Sequence, residues 1–221
     1  MKHKVDYTLY LVTDRDLMTT DTVEECVEQA IAGGVTVVQL REKKATSCDA
    51  LDETALRIRE ITARFGVKLI INDRLDLALA VDADGIHIGQ NDMPYHLVRT
   101  ALGEDKIIGV SANNVEEAVE AENMGADYLG VGAMFATGTK GDARPTSFDE
   151  LKRIREAVNI PIVAIGGINE SNLHCFEGTS IDGIAVVSAI VSQKDIKSAT
   201  ENLKTAFQNI IASEFSSEKE R

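Results

Sequence analysis

The chain has 221 residues, with 23 Lys and Arg against 36 Asp and Glu, which gives a formal net charge of −13 at pH 7. So acidic a chain is not expected to bind nucleic acid through a broad basic face, and no apolar run approaches the roughly 18 residues of a membrane span. Hydrophobic residues at 44% and charged residues at 27% indicate a folded globular protein, and at about 150 residues per domain the length fits one large domain or two small ones.

Eight short apolar runs recur along the chain, and each is nearly continuous rather than alternating in polarity. They span residues 7–13, 35–41, 68–72, 85–89, 106–111, 128–133, 161–166 and 183–188. Continuous apolar runs of this length are typical of strands that are buried on both faces of a parallel sheet. The sequence therefore predicts eight strands of this kind.

Amphipathic stretches with helical spacing separate the runs. Asn114 is expected to cap the helix after the fifth strand, and Ser147 with Glu150 has the spacing of a capping box. Eight strand–helix units of about 27 residues predict an α/β fold, a single (β/α)8 TIM barrel over residues 1–212. A doubly wound open sheet is the alternative. Residues 213–221 are rich in Ser, Glu and Lys and are expected to form a disordered tail.

The end of the second predicted strand carries two cations beside an amide. Gln39, Arg41 and Lys43 alternate along the chain and should point the same way, toward the barrel mouth where (β/α)8 active sites form. Two cations and an amide suit an anionic ligand. A charged turn into the next helix is the alternative, but it does not explain why the three polar residues share one face.

Two carboxylates follow the next pair of strands. Asn72 and Asp73 end the third predicted strand, and Asp92 comes shortly after the fourth. Carboxylates at adjacent strand ends can share Mg²⁺, with substrate phosphates supplying further oxygen ligands. Helix capping by Asp73 and Asp92 is the alternative interpretation.

A second phosphate-binding region is predicted at the ends of the last three strands. The loop after the sixth strand carries Thr137, Thr139 and Lys140 among glycines. Gly167 and Ser188 follow the seventh and eighth strands, where backbone N–H groups and a short helix commonly bind phosphate in such barrels. A flexible polar loop is the alternative for the residues after the sixth strand.

Other signals are weaker. Residues 1–6 are basic but lack the apolar stretch of a secretory signal, and Cys26, Cys48 and Cys175 are odd in number and far apart, so a cytoplasmic location is expected. His87, on the fourth predicted strand, is expected to be a packed side chain rather than a catalyst. The small aromatic content predicts an aliphatic core.

An ordered series of motifs, over about residues 7–210, resembles the thiamine phosphate synthase family. The motifs are LYLVTDR at 9–15, QLREK at 39–43, NDRLDLALA at 72–80, DGIHIGQND at 84–92, TGTKGDA at 137–143, IGGI at 165–168 and VVSAI at 186–190. The resemblance implies a transferase that joins 4-amino-2-methyl-5-hydroxymethylpyrimidine diphosphate to 4-methyl-5-(2-phosphoethyl)thiazole or its carboxylated form. It also implies that pyrophosphate leaves first and that the thiazole nitrogen then attacks the pyrimidinylmethyl cation.

The resemblance further implies a role for each site residue. The residues implied to hold the pyrimidine diphosphate are Gln39, Arg41, Lys43 and Asn72, with Ser111 and Lys140 on the diphosphate side. The residues implied to bind Mg²⁺ are Asp73 and Asp92. The residues implied to take the thiazole phosphate are Thr137, Thr139, Gly167, Val187 and Ser188. The catalytic set is then Arg41, Lys43, Lys140 and Ser111.

Two other functions are weighed against this one. A related thiazole tautomerase uses the same barrel but characteristically places a histidine where this chain has Ala133. A non-catalytic barrel that binds a phosphate ligand is the second rival. The predicted partners are small-molecule substrates, without nucleic acid or membrane, and a homo-oligomer is left open. Ala133 and Ala136 also replace prolines that are common in the family's loop, and Arg144 has no assigned role.

Overall fold

The computed structural model describes residues 4–42, 48–138 and 145–218 as a closed barrel of eight parallel strands. The strands are β1 Leu9–Val12, β2 Val37–Leu40, β3 Lys68–Asn72, β4 Gly85–Ile88, β5 Ile107–Ala112, β6 Tyr128–Val131, β7 Ile162–Ile165 and β8 Gly183–Val186. Each strand pairs with its neighbours in sequence, and β1 also pairs with β8, with Leu9 opposite Ile184. The predicted (β/α)8 barrel is confirmed, and the alternative of an open sheet is wrong.

Helices connect the strands on the outside of the barrel. They are α1 Val23–Ala32, α2 Cys48–Phe65, α3 Leu75–Ala80, α4 Tyr95–Leu102, α5 Val115–Met124, α6 Phe148–Ala157, a 3₁₀ helix Glu170–Phe176, α7 Ser188–Val191 and α8 Ile196–Glu218. The predicted cap at Asn114 is confirmed, because Asn114 accepts from the N–H of Glu117. Ser147 accepts from the N–H of Glu150, but the predicted capping box is only half formed, because the Glu150 carboxylate accepts from the N–H of Val115 and from Arg153 instead. The tail predicted at 213–221 stays a prediction, although α8 runs as far as Glu218.

The apolar side chains form two layers. One layer lies between the sheet and the helices and is largely aliphatic, but it also buries Tyr95, Phe176 and Phe207. The other fills the barrel interior, where Tyr7, Tyr10 and Tyr128 are the largest side chains, so the expectation of a purely aliphatic core is wrong there. A Cβ on Gly109 would lie 2.1 Å from the Tyr128 ring, which shows that the glycine makes room for this ring.

Three aspartates at the amino end of the barrel, Asp84, Asp127 and Asp182, act as basal carboxylates. Each comes just before an even-numbered strand and accepts a backbone N–H at the start of the preceding strand. The donors are Leu69 at 3.0 Å, Ile108 at 2.8 Å and Ile162 at 2.8 Å. Thr36 takes the same position before β2, where its hydroxyl accepts from the N–H of Leu9. The same type of contact therefore fixes the register between neighbouring strands at four places around the barrel.

Each basal carboxylate also pairs with an arginine, which lies on the helix before the strand that donates the N–H, namely α2, α4 or α6. The pairs are Arg59 with Asp84 at 2.8 Å, Arg99 with Asp127 at 2.8 Å and Arg155 with Asp182 at 3.0 Å. Burial alone would raise the pKa of Asp84, but the Leu69 N–H and the nearby cations outweigh burial and hold this pKa below its ordinary value. These pairs tie helices to the sheet at the end opposite the barrel mouth.

Within the described parts of the chain, every helix is too short or too polar to cross a lipid bilayer.

Replacing Asp127 with alanine should destabilise the barrel without touching its mouth. Arg99 and Asp127 are 11% and 12% exposed, and loss of one partner of a mostly buried pair should lower the free energy of unfolding by about 3 kcal/mol. For a chain of this size that corresponds to a fall in Tm of roughly 6–12 °C, measurable by circular dichroism. Glu201→Ala is the control, since it breaks only the exposed pair with Lys197. Equal melting temperatures for the two variants would contradict a structural role for the basal carboxylates.

Candidate functional site

A cavity of about 780 Å³ opens at the carboxyl ends of the strands. Its size is within the range typical of small-molecule sites. Ten predicted site residues line it, namely Gln39, Arg41, Asn72, Asp73, Asp92, Ser111, Thr137, Gly167, Val187 and Ser188. Three others, Lys43, Thr139 and Lys140, lie outside the described residues, as does Arg144. The structure thus brings most of the predicted set together, while the role of each residue stays a prediction.

Arg41 is held at the rim by residues that follow β1. Its guanidinium lies 3.7 Å from the carboxylate of Asp14, which is only 3% exposed. Its backbone N–H donates to the hydroxyl of Thr13 at 3.0 Å. Because both contacts come from the neighbouring strand end, the cation is positioned by the barrel itself. Sequence analysis missed Asp14, although a carboxylate directly after the first strand was a signal that could have found it.

Asp73 and Asp92 lie on adjacent strand ends at the cavity rim. The N–H of Asp73 donates to the carbonyl of His87 across the β3–β4 boundary at 2.9 Å, and its φ of 59° is in the left-handed region. The carboxylate of Asp92 accepts from the N–H of Gly89 at 2.6 Å. The N-cap positions of α3 and α4 are Arg74 and Pro94, and neither makes a side-chain cap hydrogen bond. Capping by Asp73 and Asp92 thus finds no support at these two positions.

The donor set at this rim fits a hard divalent cation in part. Asp73 and Asp92 offer carboxylate oxygens, and the amide of Asn72 donates to Asp73 at 2.6 Å and orients it. Among the described residues no three His, Cys, Asp or Glu side chains form a group that could hold a metal by themselves. A magnesium ion bound here would take its remaining ligands from water and from substrate oxygens, as Mg²⁺ usually does.

Five polar side chains form an unbroken chain of hydrogen bonds under the cavity. The amide of Gln39 donates to the hydroxyl of Tyr10 at 2.8 Å, and this hydroxyl is 2.7 Å from that of Tyr128. His87 places Nδ1 3.0 Å from the Tyr128 hydroxyl and Nε2 2.9 Å from the hydroxyl of Ser111. Burial raises the pKa of both Tyr10 and Tyr128 well above the ordinary value, so both stay neutral. His87 is packed, as expected, but it also joins the cavity to the barrel interior.

The glycines after β7 allow a left-handed backbone and close packing of the neighbouring loop. Gly166 and Gly167 have φ of 100° and 67°, a region that favours glycine. A Cβ on Gly167 would lie 2.7 Å from the carbonyl oxygen of Ala136 and 2.8 Å from Cβ of Phe135. The missing side chain therefore lets the loop after β6 pack on β7. From the sequence, Gly167 is predicted only as part of a phosphate-binding region, so this packing role is an addition from the structure.

Known proteins of similar length match this chain over nearly its whole sequence. A family model described as thiamine monophosphate synthase matches residues 9–190. The thiamine-phosphate synthases of Clostridium botulinum (strain Eklund 17B / Type B) and Clostridium beijerinckii are 57% and 58% identical to it over 210 residues. Those alignments cover 95% of this chain and 98% and 100% of the two relatives.

A solved structure agrees with these sequence matches. The thiamine phosphate pyrophosphorylase from Pyrococcus furiosus superposes on this chain with a TM-score of 0.85 and 40% sequence identity. The superposition covers 93% of this chain and 98% of that one.

Gly167→Ala should destabilise the protein through the loop after β6. An alanine at a left-handed φ, with its Cβ against the loop backbone, should lower the free energy of unfolding by about 1–3 kcal/mol, measured by urea denaturation. Gly138→Ala is the matched control, because nothing lies within 4 Å of the added Cβ there and no left-handed φ is required. If both variants unfold at the wild-type urea midpoint, the packing argument for Gly167 is wrong.

Proposed function

The chain belongs to the thiamine monophosphate synthase family, and we propose that it joins 4-amino-2-methyl-5-hydroxymethylpyrimidine diphosphate to 4-methyl-5-(2-phosphoethyl)thiazole or its carboxylated form. The products are thiamine phosphate and pyrophosphate. The chain is thus a transferase of thiamine biosynthesis, and the resemblance that its motifs indicated is confirmed. The cytoplasm is the proposed location.

One observation carries the proposal: a single cavity has two chemically different sides. The ends of β2 to β4 supply Arg41, Asp73 and Asp92, which suit a diphosphate with a divalent cation. The ends of β6 to β8 supply a hydroxyl-bearing and glycine-rich wall with Thr137 and Ser188. A reaction between one diphosphate and one monophosphate substrate requires two such sides facing one space.

Asp73 and Asp92 are the residues proposed to hold Mg²⁺, in agreement with the donor chemistry of the rim. When bound, the ion would neutralise negative charge on the diphosphate. Asn72 orients Asp73 through its amide, and the N–H of Gly89 orients Asp92. The chain's own contribution is thus to hold two carboxylates at fixed places beside the cationic strand end.

Arg41 is proposed to bind the diphosphate and to stabilise it as it leaves. The buried carboxylate of Asp14 holds the guanidinium in place before the substrate arrives, so little reorganisation is needed during the reaction. Ser111 is proposed to donate a hydrogen bond to the same group. Lys43 and Lys140 are predicted to add two further cations, by family resemblance.

The proposed mechanism is dissociative, with pyrophosphate leaving before the thiazole nitrogen attacks. A pyrimidinylmethyl cation must then be protected from water until the new bond forms. Val163, Ile165 and Ala185 line the cavity from β7 and β8 and give it an apolar patch on that side, which disfavours water there. Thr137, Gly167, Val187 and Ser188 are the residues proposed to hold the thiazole phosphate on the same side.

The site disfavours the two rival functions. The related tautomerase is expected to carry a histidine where this chain has Ala133, a residue that lines the cavity. A barrel that only binds a phosphate ligand has no need of two carboxylates and of the ion pair between Arg41 and Asp14 on the opposite side. Detection of thiamine phosphate after incubation with both substrates and Mg²⁺ separates the proposed function from both rivals.

Asp73→Asn and Asp92→Asn should keep the fold and lose about 10²–10³ in kcat. Asparagine tolerates the left-handed φ at position 73 and keeps an oxygen for the Gly89 N–H at position 92, so the main loss is charge. Turnover of both substrates is measured with Mg²⁺ and again in EDTA-treated buffer. Asp76→Asn is the control, since that exposed carboxylate pairs with Arg74 on the outside of the cavity. Full activity of both site variants in EDTA-treated buffer would contradict a metal role.

Ser188→Ala should weaken binding of the thiazole phosphate alone and so show which side of the cavity holds each substrate. Loss of one hydrogen bond to a charged phosphate should raise the KM for the thiazole phosphate by roughly tenfold or more, while the KM for the pyrimidine diphosphate stays near the wild-type value. Steady-state kinetics with each substrate varied in turn measures both constants. Ser192→Ala is the control. Ser192 lies at the end of α7, where its hydroxyl donates to the carbonyl of Leu17 rather than facing the cavity. A raised KM for the pyrimidine diphosphate with an unchanged KM for the thiazole phosphate would show that the two substrates are placed the wrong way round.

A further inference from the structure

The hydrogen bonds under the cavity have a direction, which follows from counting protons. The amide nitrogen of Gln39 can only donate, so the Tyr10 oxygen accepts from it. The single proton of Tyr10 then points to the Tyr128 oxygen 2.7 Å away. The opposite direction would leave the Tyr10 proton without an acceptor in a buried place, and an unpaired buried donor is costly.

The same proton count extends from Tyr128 through His87 to Ser111 at the cavity. Tyr128 accepts from Tyr10, so its own proton goes to Nδ1 of His87 at 3.0 Å. A neutral imidazole that accepts at Nδ1 carries its proton on Nε2, and this nitrogen donates to the Ser111 oxygen at 2.9 Å. The proton of Ser111 is then directed away from His87 and toward a ligand in the cavity.

Tyr128 is well suited to impose this order because it has little freedom to move. Its side chain is fully buried, and its ring centroid lies 4.8 Å from that of Tyr7 and 5.5 Å from that of His87. Gly109 lies against the Tyr128 ring and Gly130 against the His87 ring, where any Cβ would come within 3 Å of a ring atom. The positions of the hydroxyl and of the imidazole are thus set by packing.

We propose that Tyr128 is a positioning residue that fixes the His87 tautomer and thereby makes Ser111 a hydrogen-bond donor to the anionic substrate. Tyr128 lies beneath the cavity and is absent from its lining, so it acts through His87 and Ser111 rather than by contact with substrate. The part that concerns catalysis rests on the proposed function, whereas the tautomer is a property of the chain alone.

The tautomer is tested by nitrogen-15 NMR of the imidazole rings at a pH where His87 is neutral, with His87→Gln used for assignment. The wild type should carry its proton on Nε2. Tyr128→Phe should lose this preference, because Nδ1 loses its donor. Tyr7→Phe is the matched control, since it removes a hydroxyl from the same aromatic cluster but outside the chain of hydrogen bonds, and it should keep the wild-type spectrum. A wild-type proton on Nδ1 would overturn the proposal.

The catalytic consequence is tested by a double-mutant cycle. Tyr128→Phe should lower kcat by about tenfold, less than the ~10²-fold typical of removing a donor outright, with an unchanged KM for the thiazole phosphate. In a Ser111→Ala background the same change should add no further loss, whereas an equal loss in both backgrounds would overturn the proposed route through Ser111. Tyr7→Phe should keep the wild-type kcat.

Two further outcomes are decided by the same measurements. If Tyr128→Phe does not fold, Tyr10→Phe is measured instead. This variant keeps the Tyr128 hydroxyl, whose buried proton still needs Nδ1 of His87 as its acceptor, so the proton on Nε2 should be retained. Loss of the Nε2 preference in Tyr10→Phe would overturn the proposal. If the wild-type protein makes no thiamine phosphate, the proposed function fails, while the NMR result still decides whether Tyr128 sets the tautomer of His87.

Discussion

Closure of the sheet between β1 and β8 is the constraint on which the site depends. With every strand parallel and none at an edge, all eight carboxyl ends meet around one opening. Residues as distant in sequence as Arg41 and Ser188 line the same cavity for this reason. The basal carboxylates fix the register at the other end of the barrel, so the two ends divide stability and chemistry between them.

The two ends also use charge differently. At the amino end, Asp84, Asp127 and Asp182 are paired with arginines and backbone N–H groups, so these carboxylates have their partners within the fold. At the mouth, Asp73 and Asp92 are exposed beside Arg41 and can reach a ligand. A chain with a net charge of −13 can therefore bind anionic substrates, because the local field at the opening matters more than the total charge.

The barrel interior connects the stable part of the molecule with the reactive part. Tyrosines fill the space that aliphatic side chains would fill in a simpler core, and a buried hydroxyl without a partner is costly. Tyr10 and Tyr128 satisfy this need through Gln39 and His87, two residues that reach the cavity. Packing in the core and hydrogen bonding in the site are thus parts of one arrangement.

The sequence by itself determined the eight strand–helix units, the family, and the residues that follow each strand. Continuous apolar runs and capping residues such as Asn114 are local signals. Parallel strands bring the polar residues at their carboxyl ends to one rim, whichever side chains then contact each other. Tertiary structure alone decided which of these residues touch. Asp14 meets Arg41, and Tyr128 meets His87, through side chains far apart in sequence. No local pattern encodes such contacts, because they depend on the closed register of the barrel and on how its interior is packed.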